Sequence, residues 1–182
     1  MTYQDIHGWF TWEGLYKRMV ERFPSGATFV EIGTYLGKSA CYMGQQIKES
    51  GKAIDFFCID PWDRDVSGIS VKNRGGSWFP DFWKHVRLLG LEGHIIPFPM
   101  ENKYTLKHFR IVPVQFVFID AEHDYASVLQ DIALWSPLVS PGGVIAGHDY
   151  TTNEETKKAV DDYFRHCGKT VINEGECWLV EV

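Results

Sequence analysis

The chain has 182 residues, 45% of them hydrophobic and 15% aromatic. That length and composition suit one domain over residues 1–182 with a sizeable core, a globular rather than a disordered chain. A formal net charge of −6, with no long basic run, argues against a partner bound through nucleic-acid phosphates.

The opening Met1-Thr2-Tyr3-Gln4-Asp5 lacks the basic-then-apolar order of a signal peptide. No apolar run approaches the roughly 20 residues that cross a bilayer. Cys41, Cys58, Cys167 and Cys177 make no Cys-x-x-Cys pair, so neither a zinc knuckle nor a redox motif is indicated. A cytoplasmic protein with neither a nucleic-acid nor a membrane partner is expected. His7-Gly8-Trp9-Phe10-Thr11-Trp12-Glu13 is an aromatic cluster that can cap the core or cover a ligand. Gly14 to Phe23 follows as a helix with Leu15, Met19, Val20 and Phe23 on one face.

Thr28 to Ile32 is a β-branched and aromatic run, the pattern of a buried parallel strand. The run breaks at Gly33, and a helix carrying Ser39, Ala40, Met43 and Ile47 starts after Gly37. Strand, glycine loop and helix build the nucleotide pocket of a doubly wound α/β sheet. The loop spells Glu31-x-Gly33-x-x-x-Gly37 rather than Gly-x-Gly-x-x-Gly, and Tyr35 stands where a pyrophosphate needs a glycine. Glu31 would repel phosphate but suits a cationic or amine-bearing ligand.

Ala53 to Asp60 is the second strand, and its terminal acid lies about 27 residues beyond Gly33. Nucleoside-binding α/β folds hold ribose hydroxyls from an acid near that spacing. Pro61 to Pro80 is the longest irregular stretch, of a length that suits a lid, a binding loop or a disordered segment without function, and its Trp62, Trp78 and Gly75-Gly76 favour a lid that orders over a substrate. A helix from Asp81 to Leu89 and a strand from His94 to Phe98 follow. Met100-Glu101-Asn102 then lies at that strand's carboxyl end, ahead of a short helix from Thr105 to Arg110. Pro113 to Asp120 is the fourth strand, and Ala121-Glu122-His123-Asp124-Tyr125 leads into a helix with Val128, Leu129, Ile132 and Trp135 inward. Pro137 to Gly143 reads as a turn before the fifth strand, Val144 to Gly147, which runs into His148-Asp149-Tyr150. Glu154 to His166 is the last helix, and Thr170 to Ile172 with Cys177 to Val182 makes a terminal hairpin.

The expected architecture is a Rossmann-like, doubly wound α/β fold. Its sheet is mostly parallel and seven-stranded, with helices on both faces and an antiparallel C-terminal hairpin. Glu31, Asp60, Asp120 and His148-Asp149 then share one edge of the sheet, where open α/β folds bind ligands.

Four segments, Glu31 to Ser39, Cys58 to Asp60, Phe118 to Tyr125 and Pro141 to Tyr150, carry a resemblance in the right order and spacing. They resemble class I S-adenosylmethionine-dependent methyltransferases, most closely the small-molecule O-methyltransferase-like group called methyltransferase family 24. The resemblance implies S-adenosyl-L-methionine as cofactor and O-methylation of a small hydroxylated molecule, a sugar or secondary metabolite. It implies that Gly33, Thr34, Tyr35, Gly37 and Ser39 surround the methionine part of the cofactor, with Glu31 supporting the loop and the ammonium side. Asp60 would bind the ribose with Trp62 beside it, Met100 and Glu101 would border the adenine, and Asp120 would orient the cofactor.

Catechol-type relatives hold magnesium with an acid after the fourth strand and an Asp-Asn pair after the fifth. Asp120 and Asp149 match the aspartates, while Tyr150 replaces the asparagine. The implied site is a divalent cation, magnesium or manganese, between Asp120 and Asp149 with His148 as third ligand; a histidine favours manganese, iron or zinc. The other use of these residues leaves His148 and Asp149 lining the substrate pocket without a metal. His123 stands where those relatives carry their lysine base, and an ordinary pKa of about 6.5 suits proton removal. Two further readings of the fold are an oxidoreductase or hydroxylase-like enzyme, against which Tyr35 speaks, and a cofactor-binding module without chemistry. Trp9, Trp12 and Trp78 can serve a pocket or a homo-oligomer interface.

Overall fold

β1 (Thr28–Ile32) is buried along its whole length, as its unbroken apolar run requires of a central parallel strand. The computed structural model describes residues 1–66, 68–109 and 113–182. β2 (Asp55–Ile59) and β3 (Ile96–Phe98) extend the sheet on one side of β1, and β4 (Val114–Ile119) and β5 (Val139–Gly147) on the other, all parallel. β7 (Cys177–Glu181) joins β5 antiparallel and β6 (Ile172–Glu174) closes the edge, giving the order β3-β2-β1-β4-β5-β7-β6. The chain builds outward from β1 to β3, then returns to lay β4 against β1. That reversal opens a crevice at the carboxyl ends of β1 and β4.

Strand alternation divides the interior in two. Phe29, Phe56, Phe116 and Phe118 face α1 (Glu13–Arg22), α2 (Lys38–Ser50) and α3 (Phe79–Leu88) in an aromatic core. Val30, Ile32, Val117, Ile119 and Ile145 face α5 (Tyr125–Trp135) and α6 (Glu154–His166) in a β-branched one. α4 (Asn102–Phe109) packs beside α5. Among the described residues no helix is long and apolar enough to cross a membrane.

The structure departs from the sequence expectations in several places. The Pro137–Gly143 turn is absorbed: β5 starts at Val139, and the register jumps from Val114↔Val139 to Phe116↔Val144, so residues 140–143 bulge. The C-terminal residue supplies the missing backbone partners, since Gly142 N–H donates to Val182 O at 2.8 Å and Val182 N–H to Gly143 O at 3.0 Å. α3 starts at Phe79 because Pro80 fits a first helical turn, where its missing N–H has no partner to lose. The helix expected to end at Arg110 starts earlier, at Asn102; Arg110 lies outside the described residues, as does Ser67 in the 61–80 stretch. Trp62 and Trp78, expected over a substrate, are core residues, and Trp78 donates its N–H to Trp62 O at 2.8 Å and its indole N–H to Arg64 O at 2.9 Å. Trp12 is buried as well, whereas Trp9 is 60% exposed.

Candidate active site

The glycine loop after β1 is held by one carboxylate. Asp60 Oδ2 accepts the Thr34 and Tyr35 N–H groups, both at 2.9 Å, and Oδ1 accepts the Trp62 N–H at 2.6 Å. Burial raises the Asp60 pKa, and the three N–H donors offset part of that effect. The Trp62 indole N–H donates to Tyr35 O at 2.6 Å, so loop and strand end are tied in both directions. Tyr35 and Trp62 hold φ values of 48° and 52°, conformations that disfavour any side chain and persist only where surroundings enforce them. A Cβ on Gly33 would lie 2.0 Å from Asp120 O, and one on Gly37 would lie 2.7 Å from the Phe82 ring. Packing alone therefore demands both glycines.

Glu31 is the main correction. Alternation places it on the same face as Phe29, so it points away from the crevice toward α1. It is 1% exposed, and Tyr16 donates its hydroxyl to Oε2 at 2.6 Å. Burial pushes its carboxyl up to about 7. The Ser39 and Thr34 hydroxyls beneath the loop offset part of that rise.

Beyond β4 and β5, Asp120, His123 and Asp149 present three ligand atoms within 4.8 Å of one another. His123 Nε2 lies 3.8 Å from Asp120 Oδ1 and 2.8 Å from Asp149 Oδ2. These two carboxylates push the imidazole up to about 10. It is therefore cationic at neutral pH, not the near-neutral base that its ordinary pKa suggests. The hydrogen bonds from His123 and His148 hold the Asp149 carboxyl far below its usual range. His148, expected as the third ligand, is replaced in this group by His123. Its Nδ1 does face Asp149 Oδ2 at 3.2 Å and Asp120 Oδ1 at 3.9 Å, but its Nε2 is turned to Glu176 Oε2 at 3.3 Å. Burial lowers the His148 pKa, and the Asp149 hydrogen bond with the Asp120 and Asp149 charges outweighs it, for a net rise. Asp149 itself sits at φ 59°.

One cavity of about 870 Å³ joins these parts. Gly33, Thr34, Tyr35, Ser39 and Asp60 line it, as do Glu101, Asp120, His123, His148 and Asp149. Gly37, Trp62 and Met100 do not: Gly37 caps α2 against Phe82, and Trp62 braces the loop from the core side. In place of Met100 the cavity is lined by Asn102, from the same stretch after the third strand, and by Asp131 from α5, which the sequence alone does not single out. Asn102 Nδ2 donates to Asp131 Oδ1 at 2.6 Å, and Trp135 Nε1 donates to Asn102 Oδ1 at 2.5 Å. Burial pushes the Asp131 carboxyl up to about 6. Arg64 reaches across the mouth to Glu122 at 2.7 Å. The carboxylate-rich lining disfavours a phosphate and favours a cationic ligand.

A family model described as a methyltransferase domain matches residues 30–150. Uncharacterized protein R132 of Acanthamoeba polyphaga mimivirus is 32% identical over 125 residues, which is 68% of this chain and 51% of that protein. The chain thus spans about half the length of that curated relative. Among solved structures, the O-methyltransferase NovP matches with a TM-score of 0.73 at 19% identity, over 93% of this chain and 78% of that one. TomG from Streptomyces achromogenes, an O-methyltransferase involved in tomaymycin synthesis and solved with S-adenosylmethionine, matches with a TM-score of 0.69 at 14% identity, over 98% and 82%. At such identities the likeness is one of fold.

Proposed function

The chain belongs to the methyltransferase family whose model matches residues 30–150, and from that premise we propose that it methylates a hydroxyl of a small molecule, using S-adenosylmethionine. The observation that carries this reading is the single cavity in which the Asp60-clamped glycine loop faces the Asp120–His123–Asp149 group. The residues fit the cofactor. Thr34 and Ser39 line the cavity at the foot of the loop, and hydroxyl oxygens there can accept from an ammonium group. Asp60 Oδ1 has one backbone donor and so a lone pair left for a ribose hydroxyl. Tyr35 obstructs a pyrophosphate, which favours this cofactor over NAD. When bound, the cofactor supplies an electrophilic methyl group on a sulfonium.

The chain's own part is to fix the acceptor and dispose of its proton. As the acceptor oxygen gains a methyl, the bond from methyl to sulfur breaks and the hydroxyl proton must leave. His123 lies in the cavity for that role, but beside Asp120 and Asp149 it already carries a proton at neutral pH. Two carboxylates and an imidazole form a donor set suited to manganese, iron or zinc rather than magnesium. A cation held by Asp120, His123 and Asp149 would supply Lewis-acid character to the acceptor hydroxyl. With no cation, His123 is the counter-ion of the two acids, and the proton leaves readily only at alkaline pH.

Two experiments test this reading. In a thermal-shift assay S-adenosylmethionine raises Tm and NADH does not; the reverse would favour an oxidoreductase. Protein incubated with methyl-labelled S-adenosylmethionine and pools of hydroxylated metabolites yields base-stable labelled ethers. Cofactor binding without transfer to any acceptor would leave a non-catalytic binding module.

A further inference from the structure

The cavity has a second end, on the far side of Asp60. In the sheet order Asp60 stands at the tip of β2, with the acid–histidine group beyond β4 and β5 on one side and β3 on the other. The Asp60 N–H donates to Phe98 O at 3.3 Å, so the tips of β2 and β3 adjoin, and Glu101 and Asn102 continue the cavity wall from there. Asp131 of α5 joins that wall through Asn102, whose Nδ2 donates to Asp131 Oδ1 at 2.6 Å. Asn102 is itself fixed: its Oδ1 accepts the Trp135 indole N–H at 2.5 Å, and its backbone O accepts the Thr105 hydroxyl at 2.7 Å. Asp131 Oδ2, by contrast, has no hydrogen-bond partner among the described residues, although the residue lines the cavity. The nearby cations face other acids, Arg64 reaching Glu122 and Glu101 and Lys103 reaching Glu101.

Resting on the methyltransferase reading, we propose that Asp131 Oδ2, aimed by Asn102, accepts the exocyclic amino group of the cofactor's adenine and makes the site selective for a 6-aminopurine. A cofactor with its ribose at Asp60 and its sulfonium toward Asp120, His123 and Asp149 lays its base at the β3 end. Adenine carries one hydrogen-bond donor on its ring edge, the N6 amino group, beside ring nitrogens that only accept. An ionised carboxylate only accepts as well, and Asp131, pushed up to about 6 by burial, is ionised at neutral pH. It therefore matches N6 alone. A base without that amino group would leave a half-buried carboxylate oxygen dry and unpaired, which is the arrangement by which sites reject close analogues.

The test compares two ligands on the full-length protein by calorimetric titration at neutral pH: S-adenosylhomocysteine and its purine analogue, which lacks only the amino group. The wild type binds S-adenosylhomocysteine at least about tenfold more tightly. Asp131→Asn keeps an acceptor for Asn102 and turns N–H donors toward the base, so the ratio of the two affinities falls to about one. An Asn102–Asp131 pair that merely joined α4 to α5 would instead weaken both ligands alike in the variant and leave the ratio unmoved. Equal binding of the two ligands by the wild type, or a wild-type ratio in Asp131→Asn, would each overturn the assignment, and the wild-type comparison decides even where the variant fails to fold. Failure of S-adenosylhomocysteine to bind the wild type would overturn the methyltransferase reading itself.

Discussion

Glu31→Gln separates the buried carboxyl from everything else in the site. The folded chain titrates this group near 7, against an ordinary value of 4.5, chiefly because of burial. Between those values the unfolded chain has lost the proton and the folded chain keeps it. Stability from this group is therefore full below pH 4.5 and is lost as pH rises toward 7 and beyond. The difference amounts to about 3 kcal/mol, or about 6–12 °C in Tm for a chain of this length. The amide keeps an acceptor for Tyr16 and carries no charge, so the Gln variant should lack this slope. Asp131, pushed up to about 6 by burial, adds a slope of the same sign to both proteins and cancels in the comparison. Urea denaturation of both proteins from pH 4 to pH 8 gives the difference curve directly. Parallel curves would refute the burial argument for Glu31.

Gly33→Ala places a methyl 2.0 Å from a backbone oxygen at φ +84°, so we expect no soluble folded protein, or one destabilised by more than about 4 kcal/mol, as read by circular dichroism and denaturant melts. Trp62→Phe removes the indole donor to Tyr35 O and leaves a positive-φ loop residue less restrained. Stability should fall by about 1–2 kcal/mol, and S-adenosylhomocysteine should dissociate faster in stopped-flow displacement. Asp149→Asn replaces one carboxylate of the clustered group by a neutral amide oxygen, so manganese affinity measured by water-proton relaxation should drop about tenfold. S-adenosylhomocysteine affinity without metal should be unchanged, and equal manganese binding by both proteins would exclude this group as the cation site.

The sheet, its order of elements and the glycine loop were legible because they rest on local pattern. Apolar runs of strand length, helical spacing and glycines at a strand end survive any tertiary context. Glu31 was legible in principle, since two-residue alternation from Phe29 already sends it under the sheet. It is the chemistry of the motif that draws attention to the crevice instead. The Trp62 indole bond needs a left-handed backbone at a non-glycine residue, which no sequence pattern announces. Asp131 sits beside Val128, Ile132 and Trp135 on α5, where an acid reads as a solvated flank until Asn102 is seen opposite. Thr11 and Glu176 are 165 residues apart in the chain, and only the folded chain brings them to one end of the cavity.

The central claim is that the Asp60-clamped loop receives S-adenosylmethionine. Calorimetric titration of wild type and Asp60→Ala with S-adenosylhomocysteine tests it most directly. Asp60→Ala orphans the N–H groups of Thr34, Tyr35 and Trp62 and removes the hydroxyl acceptor. We expect one-to-one micromolar binding by the wild type and at least about a hundredfold loss in the variant. No heat with the wild type, or equal affinity in both proteins, would contradict the account.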